Sequence, residues 1–493
     1  MSLFRRMPIQ VLLDRAGGEE LHRHMGLFAL VLLGVGGTIG SGIFVLTGTA
    51  AAQYAGPAIA LSFVIAGVAC LFAGLCYAEL ASMIPVAGSA YTYAFAAMGE
   101  FVAWIIGWSL VLEYLFATST VAVGWSGYFA QFLTYLSQNY AIHIALPHAL
   151  TSPPIVSTGN GQFALGGGII NLPAALAILA IAAILTLGVK RSTLFNVLVV
   201  LLKVGVILAV IGVGFFHVNP ANWHPFIPPN NGTVGDFGWS GVIRGAGVVF
   251  FAYIGFDMVS SSAQEVKNPA RNVPLGLMLT LAVVSVLYVA MALVQTGLAH
   301  YTELNVAFPV LVAVQHGGAF MSQWLQLPVL LGVVIGLFAA MFIGVYGQSR
   351  IFYAMGKDGL LPPAFSRLNK VKVPAFSIWL TAFFAALVAA VVPVQLLGEL
   401  SSIGTLLAFA IVCIGVLVLR ITHPDTPRGF RMPFWFLLVS VVLGVASCVG
   451  MMALLPPATW IRLAVWLALG FVVYFAYSVR KSVLAPKTVA EQG

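Results

Sequence analysis

Long apolar segments, separated by short polar breaks, occupy almost the whole chain. A bilayer core about 30 Å thick takes roughly 20 helical residues, so each apolar segment of that length predicts one membrane-spanning helix. We placed the ends of the segments at charged or proline-rich positions. The pattern predicts twelve spans, at residues 27–50, 57–83, 98–126, 172–189, 192–216, 240–262, 274–299, 327–355, 374–393, 400–420, 433–454 and 459–479.

Composition supports a membrane protein. Of the 493 residues, 61% are hydrophobic and only 7% are charged, whereas a soluble globular protein carries about 25% charged residues. A soluble enzyme, a disordered hub and a nucleic-acid-binding domain are therefore excluded, and the net charge of +8 comes from basic residues scattered between apolar segments. All four cysteines lie within apolar segments, so we expect neither a disulfide framework nor a metal site. The predicted fold class is an all-α polytopic membrane protein without a cofactor.

The distribution of Lys and Arg predicts the orientation of the spans. Basic residues occur before span 1 and in the later even-numbered connections, whereas residues 131–171 and 300–326 contain no Lys or Arg. Because basic loops stay in the cytoplasm, both termini, residues 1–26 and 480–493, are predicted to be cytoplasmic. The first 26 residues have no signal-peptide pattern, so span 1 is expected to be an uncleaved anchor.

Spans 1 and 6 contain interruptions that a lipid-facing helix does not tolerate. Residues 34–42 of span 1 include five glycines, and residues 250–257 of span 6 include Gly255 and then Asp257. Irregular backbone within a membrane is found where it is buried or lines a cavity. Close helix packing through Gly36 and Gly40 is the alternative explanation. Two interruptions five spans apart favour a transporter built from inverted repeats, namely spans 1–5 (27–216) and spans 6–10 (240–420), followed by spans 11 and 12 (433–479).

Such interruptions provide ligands for a zwitterionic solute. The first N–H groups of a half-helix attract an anion, and the last carbonyls of the other half attract a cation. A solute with a carboxylate and an ammonium on one carbon fits both ends at once. The predicted carboxylate ligands are the backbone N–H groups of Ser41, Gly42 and Ile43, and the predicted amine ligands are the backbone carbonyls of Thr38, Ile39, Phe251, Ala252 and Ile254.

Three ionisable residues lie well inside predicted spans. Lys203 is about eleven residues into span 5, and therefore roughly 16 Å deep. A charge at that depth costs at least about 2.5–3.5 kcal/mol, so it indicates a function, although a lysine bonded permanently to backbone carbonyls is the structural alternative. We predict that Lys203 gains and loses a proton, and that Glu113 and Asp257 assist it, with bridging between helices as the alternative role of Glu113. For Asp257 a helix-capping role is equally compatible, and Glu79, nearer a span end, is predicted to be structural or part of an inner gate.

Several motifs resemble those of one transporter superfamily. They are GSGIF (40–44), YAEL (77–80) with PVAGSAY (85–91), and FFAYIGFD (250–257) followed by EVKNP (265–269). This combination resembles the amino acid/polyamine/organocation superfamily, and GWSLVLEY (107–114) with residues 350–361 resembles its cationic amino acid transporter family. The resemblance extends from about residue 23 to residue 481.

The resemblance implies a leucine-transporter-like fold, alternating access, an L-amino acid substrate and Phe251 as a gate over that substrate. In proton-coupled relatives, a lysine in span 5 stands where sodium-coupled relatives bind an ion and touches the broken part of span 1. Lys203 matches that position. Twelve spans, rather than the fourteen of animal members, imply the shorter bacterial type, a multi-pass protein of the bacterial inner membrane.

The sequence therefore predicts a secondary active transporter that imports an L-amino acid with a proton and functions as a monomer. An amino acid exchanger and a sodium symporter are alternatives, as is a channel or receptor from another class. The nucleophile-elbow, zinc-protease and Walker A motifs are missing from the sequence, so an enzyme or direct ATP coupling is not expected. Whether the substrate is small and neutral or cationic stays open.

Overall fold

The computed structural model describes residues 4–17, 25–84, 89–140, 146–159, 162–188, 193–263 and 266–485. Residues 85–88 and 265, from two of the family motifs, lie outside this part of the chain. So do residues 18–24 and 486–493 of the predicted cytoplasmic termini, and the basic pair at 190–191.

The fold is helical, and the predicted spans are all present in the described residues. Nine of the apolar helical segments are long enough to cross a bilayer, and the shorter Leu27–Thr38, Leu172–Thr186 and Ala375–Val391 complete the set. In chain order the twelve spans are Leu27–Thr38 with 42–55, Ile59–Met83, Glu100–Asn139, Leu172–Thr186, Thr193–Gly214, Gly238–Val249 with Phe250–Tyr253 and Met258–Ser261, Pro269–Leu298, Gln326–Lys357, Ala375–Val391, Val394–Thr422, Phe434–Ala453 and Pro457–Val473.

Short elements connect the spans. A two-stranded antiparallel hairpin joins Ile155–Gly159 to Gln162–Leu165 between spans 3 and 4. Short helices lie before span 1 and in the connections that follow spans 2, 3, 5, 7 and 8. Their bounds are Ile9–Gly17, Ser89–Ala97, His148–Thr151, Pro220–Trp223, Tyr301–Leu304, Pro309–His316, Ala319–Trp324 and Pro363–Ser366, and the last span continues as Tyr474–Ser478 and Val479–Lys481.

Two predicted features differ in extent from the structure, namely the end of span 3 and the interruption of span 1. Span 3 ends at Asn139 rather than at residue 126, because the helix continues past the end of the apolar segment, and hydropathy marks the hydrocarbon layer rather than the helix end. In span 1, the glycine-rich part up to Thr38 stays helical, since buried packing overrides the low helix propensity of glycine. The interruption is confined to Ile39 and Gly40, because Ser41 already has helical backbone angles.

The helix axis of span 1 breaks at Ile39. Its backbone is extended, with φ −71° and ψ 106°, and the chain resumes as a wide π-helical turn over Gly42–Leu46. Span 6 breaks in the same manner at Ile254, where φ is −57° and ψ is 133°. Gly255 follows with φ 106°, a left-handed conformation that only glycine adopts without strain. The membrane interior therefore holds two helix interruptions.

Span 3 and span 8 form the wall beside these interruptions. Thr118 and Tyr114 of span 3 pack directly against Gly344 and Gly347 of span 8. Span 5 packs on the same helix, with Lys203 lying over Gly336. These small residues let the helices approach closely, as is usual within membranes, and they bring spans 3, 5 and 8 around span 1.

Candidate functional site

The two interruptions cross each other in direct backbone contact. Gly42 of span 1 lies against the backbone and side chain of Ala252 in span 6, with no room for a side chain at position 42. A Cβ atom at Gly255 would lie 2.7 Å from the carbonyl oxygen of Gly37. Glycine is therefore required at both contacts, and the crossing brings the two sets of predicted ligands together.

Tyr288 of span 7 joins the two interruptions through its hydroxyl group. That oxygen lies 3.0 Å from the carbonyl oxygen of Thr38 and 2.9 Å from the carbonyl oxygen of Ala252. The single hydroxyl proton is donated to one of these carbonyls at a time. The hydroxyl group therefore holds the two carbonyl oxygens, one from each interrupted span, close to each other. Sequence reasoning missed this residue, because a single tyrosine in an apolar span carries no distinctive signal.

The predicted ligand residues are well buried. Thr38, Ile39, Ser41, Gly42, Ile43, Phe251 and Ala252 are buried, and Ile254 is half-buried. The hydroxyl group of Ser41 has no hydrogen-bond partner among the described residues. A buried polar atom without a partner costs free energy, so Ser41 is suited to receive a ligand or an ordered water.

Lys203 spans the interruption of span 1. Its Nζ atom donates hydrogen bonds to the carbonyl oxygen of Ile39 at 2.8 Å and to that of Gly36 at 3.1 Å. The side chain is only 1% exposed. These two carbonyls lose their helical partners because the helix breaks at Ile39, and the ammonium group satisfies both.

Glu113 and Asp257 are neighbours on spans 3 and 6. The two carboxyl groups interact electrostatically, and Thr405 of span 10 lies near the side chain of Glu113, while its hydroxyl group donates to the carbonyl oxygen of Ser401 at 3.1 Å. The Oε2 atom of Glu113 is buried and has no hydrogen-bond partner within the described residues. A partnerless carboxyl oxygen beside a second carboxyl group is a suitable place for a proton. Glu113 and Asp257 are thus close enough to interact, and Lys203 contacts the interruption of span 1.

A second charged network joins the second half of span 1 to the first half of span 6 and to spans 10 and 12. Arg244 of span 6 forms an ion pair with Asp236 at 2.9 Å and lies 3.8 Å from Glu399 of span 10. Glu399 also accepts hydrogen bonds from Tyr54 at 3.0 Å and Thr459 at 3.1 Å. We call Tyr54, Asp236, Arg244, Glu399 and Thr459 the outer network. Its signal in the sequence is Arg244 inside predicted span 6 and Glu399 immediately before predicted span 10.

The opposite face of the interruptions is partly accessible. Gly37, Gly40, Ile254 and Asp257 are half-buried, whereas residues 248–253 of span 6 are fully buried. Glu79 does not reach the site: it pairs with Arg420 of span 10 at 2.9 Å, near the ends of those spans. The predicted structural or inner-gate role of Glu79 stays a prediction.

A bundle of twelve spans with two crossed, interrupted helices at its centre defines a class of protein, the secondary transporters with a midplane site. Comparison with known proteins identifies the family. The model for the family described as amino acid permease matches residues 25–476. The chain belongs to this family, and it is a transporter rather than an enzyme.

Similar proteins carry different substrate names. The methylthioribose transporter of Bacillus subtilis is 43% identical over 98% of this chain and 99% of its own length. The branched-chain amino acid permease BcaP of the same organism is also 43% identical, with the same coverage of both chains. Cationic amino acid transporter 4, vacuolar, of Arabidopsis thaliana is 38% identical over 86% of this chain and 68% of its own.

Proposed function

We propose that this permease imports a neutral L-amino acid together with a proton by alternating access. The observation that carries the proposal is the crossing of the two interrupted spans, with the ammonium group of Lys203 bonded to the carbonyls of Gly36 and Ile39. The predicted inverted repeats, 27–216 and 240–420, account for one interruption in each half.

The crossing supports a zwitterion as the substrate. In the proposed binding mode, the carboxylate is bound by the N–H groups of Ser41, Gly42 and Ile43 at the start of the second half of span 1. The amine is bound by the carbonyl of Thr38 and by those of the span 6 break at Phe251, Ala252 and Ile254, whereas the carbonyl of Ile39, also a predicted amine ligand, already accepts a hydrogen bond from Lys203. Tyr288 supports this mode, because its hydroxyl group holds the carbonyls of Thr38 and Ala252 close together.

An apolar surrounding supports a neutral side chain on the substrate. The Cβ position at Gly40 is 3.9 Å from Ala340 of span 8, an ordinary contact between small groups. Phe251 is the proposed gate, and its buried ring belongs to the span 6 interruption. The resemblance to BcaP, a branched-chain amino acid permease, agrees with this substrate class. The equally similar methylthioribose transporter makes that thiosugar the second candidate.

Proton coupling is proposed for Lys203, Glu113 and Asp257. An ammonium group that occupies the span 1 carbonyls leaves no room there for sodium, which argues against a sodium symporter. When Lys203 releases its proton, it binds these carbonyls more weakly, and span 1 is freed to move. The Glu113 and Asp257 pair beside span 6 offers a second place for the proton.

The proposed setting is a bacterial inner membrane, with both termini in the cytoplasm and a single chain as the working unit. In this orientation the outer network lies on the extracellular side, and the half-buried face of the interruptions is turned toward the cytoplasm. The outer network would therefore keep the extracellular entrance closed. The alternatives are exchange of amino acids and a channel or receptor function. Uptake experiments distinguish these from proton-coupled import.

Opening of the extracellular entrance is expected to be easier in Arg244→Gln. Removing one partner of a buried ion pair costs about 3–5 kcal/mol. In the proposed mechanism the network is intact only in the closed state, so this substitution destabilises the closed state relative to the open state. A cysteine-free protein carrying Val248→Cys reports the opening by its reaction with an impermeant thiol reagent. The labelling rate from outside should rise by at least about tenfold.

Arg367→Gln, which removes an exposed arginine outside the outer network, is the matched control for this experiment and should leave the labelling rate unchanged. Equal labelling rates for Arg244→Gln and the unmodified background would show that the outer network does not hold the entrance closed.

Uptake into proteoliposomes tests the function. Vesicles receive labelled leucine, lysine or methylthioribose under an inside-alkaline pH gradient, an inward sodium gradient, or internal amino acid alone. We expect leucine to accumulate inside the vesicles up to about tenfold for each unit of the pH gradient and not to accumulate without it, because one pH unit supplies about 1.4 kcal/mol per proton. A protonophore and protein-free vesicles are the controls.

Each other outcome overturns a different part of the proposal. Accumulation driven by sodium alone excludes proton coupling. Uptake that requires internal amino acid identifies an exchanger. Transport of methylthioribose without leucine contradicts the substrate class, and transport of lysine in preference to leucine contradicts the neutral side chain.

A further inference from the structure

A cavity separate from the transport site lies where span 10 ends and span 11 begins. Its volume is about 600 Å³, and it is lined by Arg420, Ile421, Arg431, Met432, Pro433 and Phe434. None of these residues touches the interruptions of spans 1 and 6 in the contacts described above. The cavity therefore needs an explanation of its own.

Positive charge predominates around this cavity. Arg420 is 7% exposed, and its Nη2 atom donates to Glu79 at 2.9 Å and to the Met432 carbonyl at 2.6 Å. Arg428 lies 3.5 Å from the same carboxylate, and Arg431 is exposed at the rim. Three arginines thus surround a single carboxylate, and the remaining positive charge favours an anion.

Arg420 also retains a donor for which the described residues provide no acceptor. Its Nε atom is buried and has no hydrogen-bond partner in that part of the chain. Unpartnered buried donors are costly, and a guanidinium group pairs strongly with phosphate oxygens. The side chain of Arg420, held in place by Glu79 and Met432, therefore presents a fixed positive charge to the cavity that it lines.

The first turn of span 11 forms another side of the cavity. This helix runs over Phe434–Ala453, follows Pro433, and has no side chain capping its N-terminus. The N–H groups of the first turn and the helix dipole both attract a negatively charged group. They lie beside Pro433 and Phe434, which line the same cavity as Arg420 and Arg431.

Apolar side chains border the basic residues on the outer surface. Ile421 is 66% exposed, Phe434 is 54% exposed and Trp435 is 68% exposed. Aromatic residues at the start of a membrane span lie at the level of the lipid headgroups. The acyl chains of a lipid whose headgroup lies in the cavity would cover these side chains.

We propose that this cavity binds an anionic phospholipid. The phosphate group lies between Arg420, Arg431 and the N-terminus of span 11, and the acyl chains lie along Ile421 and Phe434. Basic pockets between spans are known to bind anionic headgroups. Because Arg420 also holds Glu79 of span 2, the bound lipid stabilises the connection between spans 2 and 10.

Lipid binding is tested by native mass spectrometry of the full-length chain with phosphatidylglycerol and with phosphatidylcholine. We expect phosphatidylglycerol to be retained preferentially, and Arg431→Gln to weaken its binding by about fivefold, as expected for one arginine at a membrane surface. Arg367→Gln is the matched control, since it removes an exposed arginine away from the cavity, and should bind like the unmodified protein.

Two further comparisons test whether the bound phosphate belongs to a lipid and whether binding depends on this particular cavity. Inorganic phosphate at millimolar concentration should not displace the phospholipid. Displacement would identify a small-anion site instead and overturn the proposal. Equal affinities for Arg431→Gln and Arg367→Gln, or no preference for phosphatidylglycerol, would also overturn it. Leucine binding by Arg431→Gln reports that the variant is folded, so a loss of lipid binding is distinguishable from unfolding.

Discussion

Replacing Lys203 by methionine is expected to abolish proton-driven uptake while substrate binding stays measurable. The ammonium group makes two hydrogen bonds, to Ile39 and Gly36, and a hydrogen bond that involves a charged group contributes about 1.5–3 kcal/mol. Methionine fills a similar volume but can neither donate these bonds nor carry a proton. Uptake under an inside-alkaline gradient should fall by at least about 100-fold.

The pH dependence distinguishes coupling from a merely structural role of Lys203. Substrate binding, measured by calorimetry over a pH series, should depend on pH in the unmodified protein and lose that dependence in Lys203→Met. Lys370→Met is the matched control, because Lys370 is an exposed lysine in the connection between spans 8 and 9. An unchanged pH profile in Lys203→Met, with uptake still driven by the proton gradient, would remove Lys203 from the coupling mechanism.

The substitution Gly42→Val is expected to abolish substrate binding. Position 42 lies against Ala252 without space for even a Cβ atom, so valine must push the interruptions of spans 1 and 6 apart. Overpacking of this kind costs about 1–3 kcal/mol, and the displaced N–H and carbonyl groups no longer converge on one ligand. The affinity for leucine should fall by at least about 100-fold, measured by calorimetry in detergent.

The chain offers a matched control for this substitution. A Cβ atom at Gly205 in span 5 would meet no atom within 4 Å, so Gly205→Val adds the same side chain where there is space. It should bind leucine normally and unfold at nearly the same temperature as the unmodified protein. If Gly42→Val binds leucine as tightly as Gly205→Val does, the crossing of spans 1 and 6 is not the binding site.

The sequence alone was sufficient for the number of spans and for the two interruptions. A span must be apolar over about 20 residues, and a break within it needs residues such as Gly255 that tolerate unusual backbone conformations. Both features depend on residues that are close together in the chain, so they can be recognised from the sequence alone. The depth of Lys203 follows from counting along one apolar segment, which explains why a charge there was recognised as significant.

Helix ends were less predictable than helix positions. Span 3 extends to Asn139, beyond the apolar segment that was used to detect it, because backbone hydrogen bonding continues in water as well as in lipid. The helix Ser89–Ala97 was not predicted, since nine residues of mixed polarity give no clear membrane signal.

Partners across the bundle were decided by the tertiary structure. The hydroxyl group of Tyr288 between Thr38 and Ala252, and the pairing of Arg244 with Asp236 and Glu399, join residues far apart in the chain. No local pattern specifies which buried groups meet, because each contact depends on how whole helices pack against one another. The sequence determined the spans, their breaks and the residues able to do chemistry, whereas the packing of the helices determined which of these residues share a site.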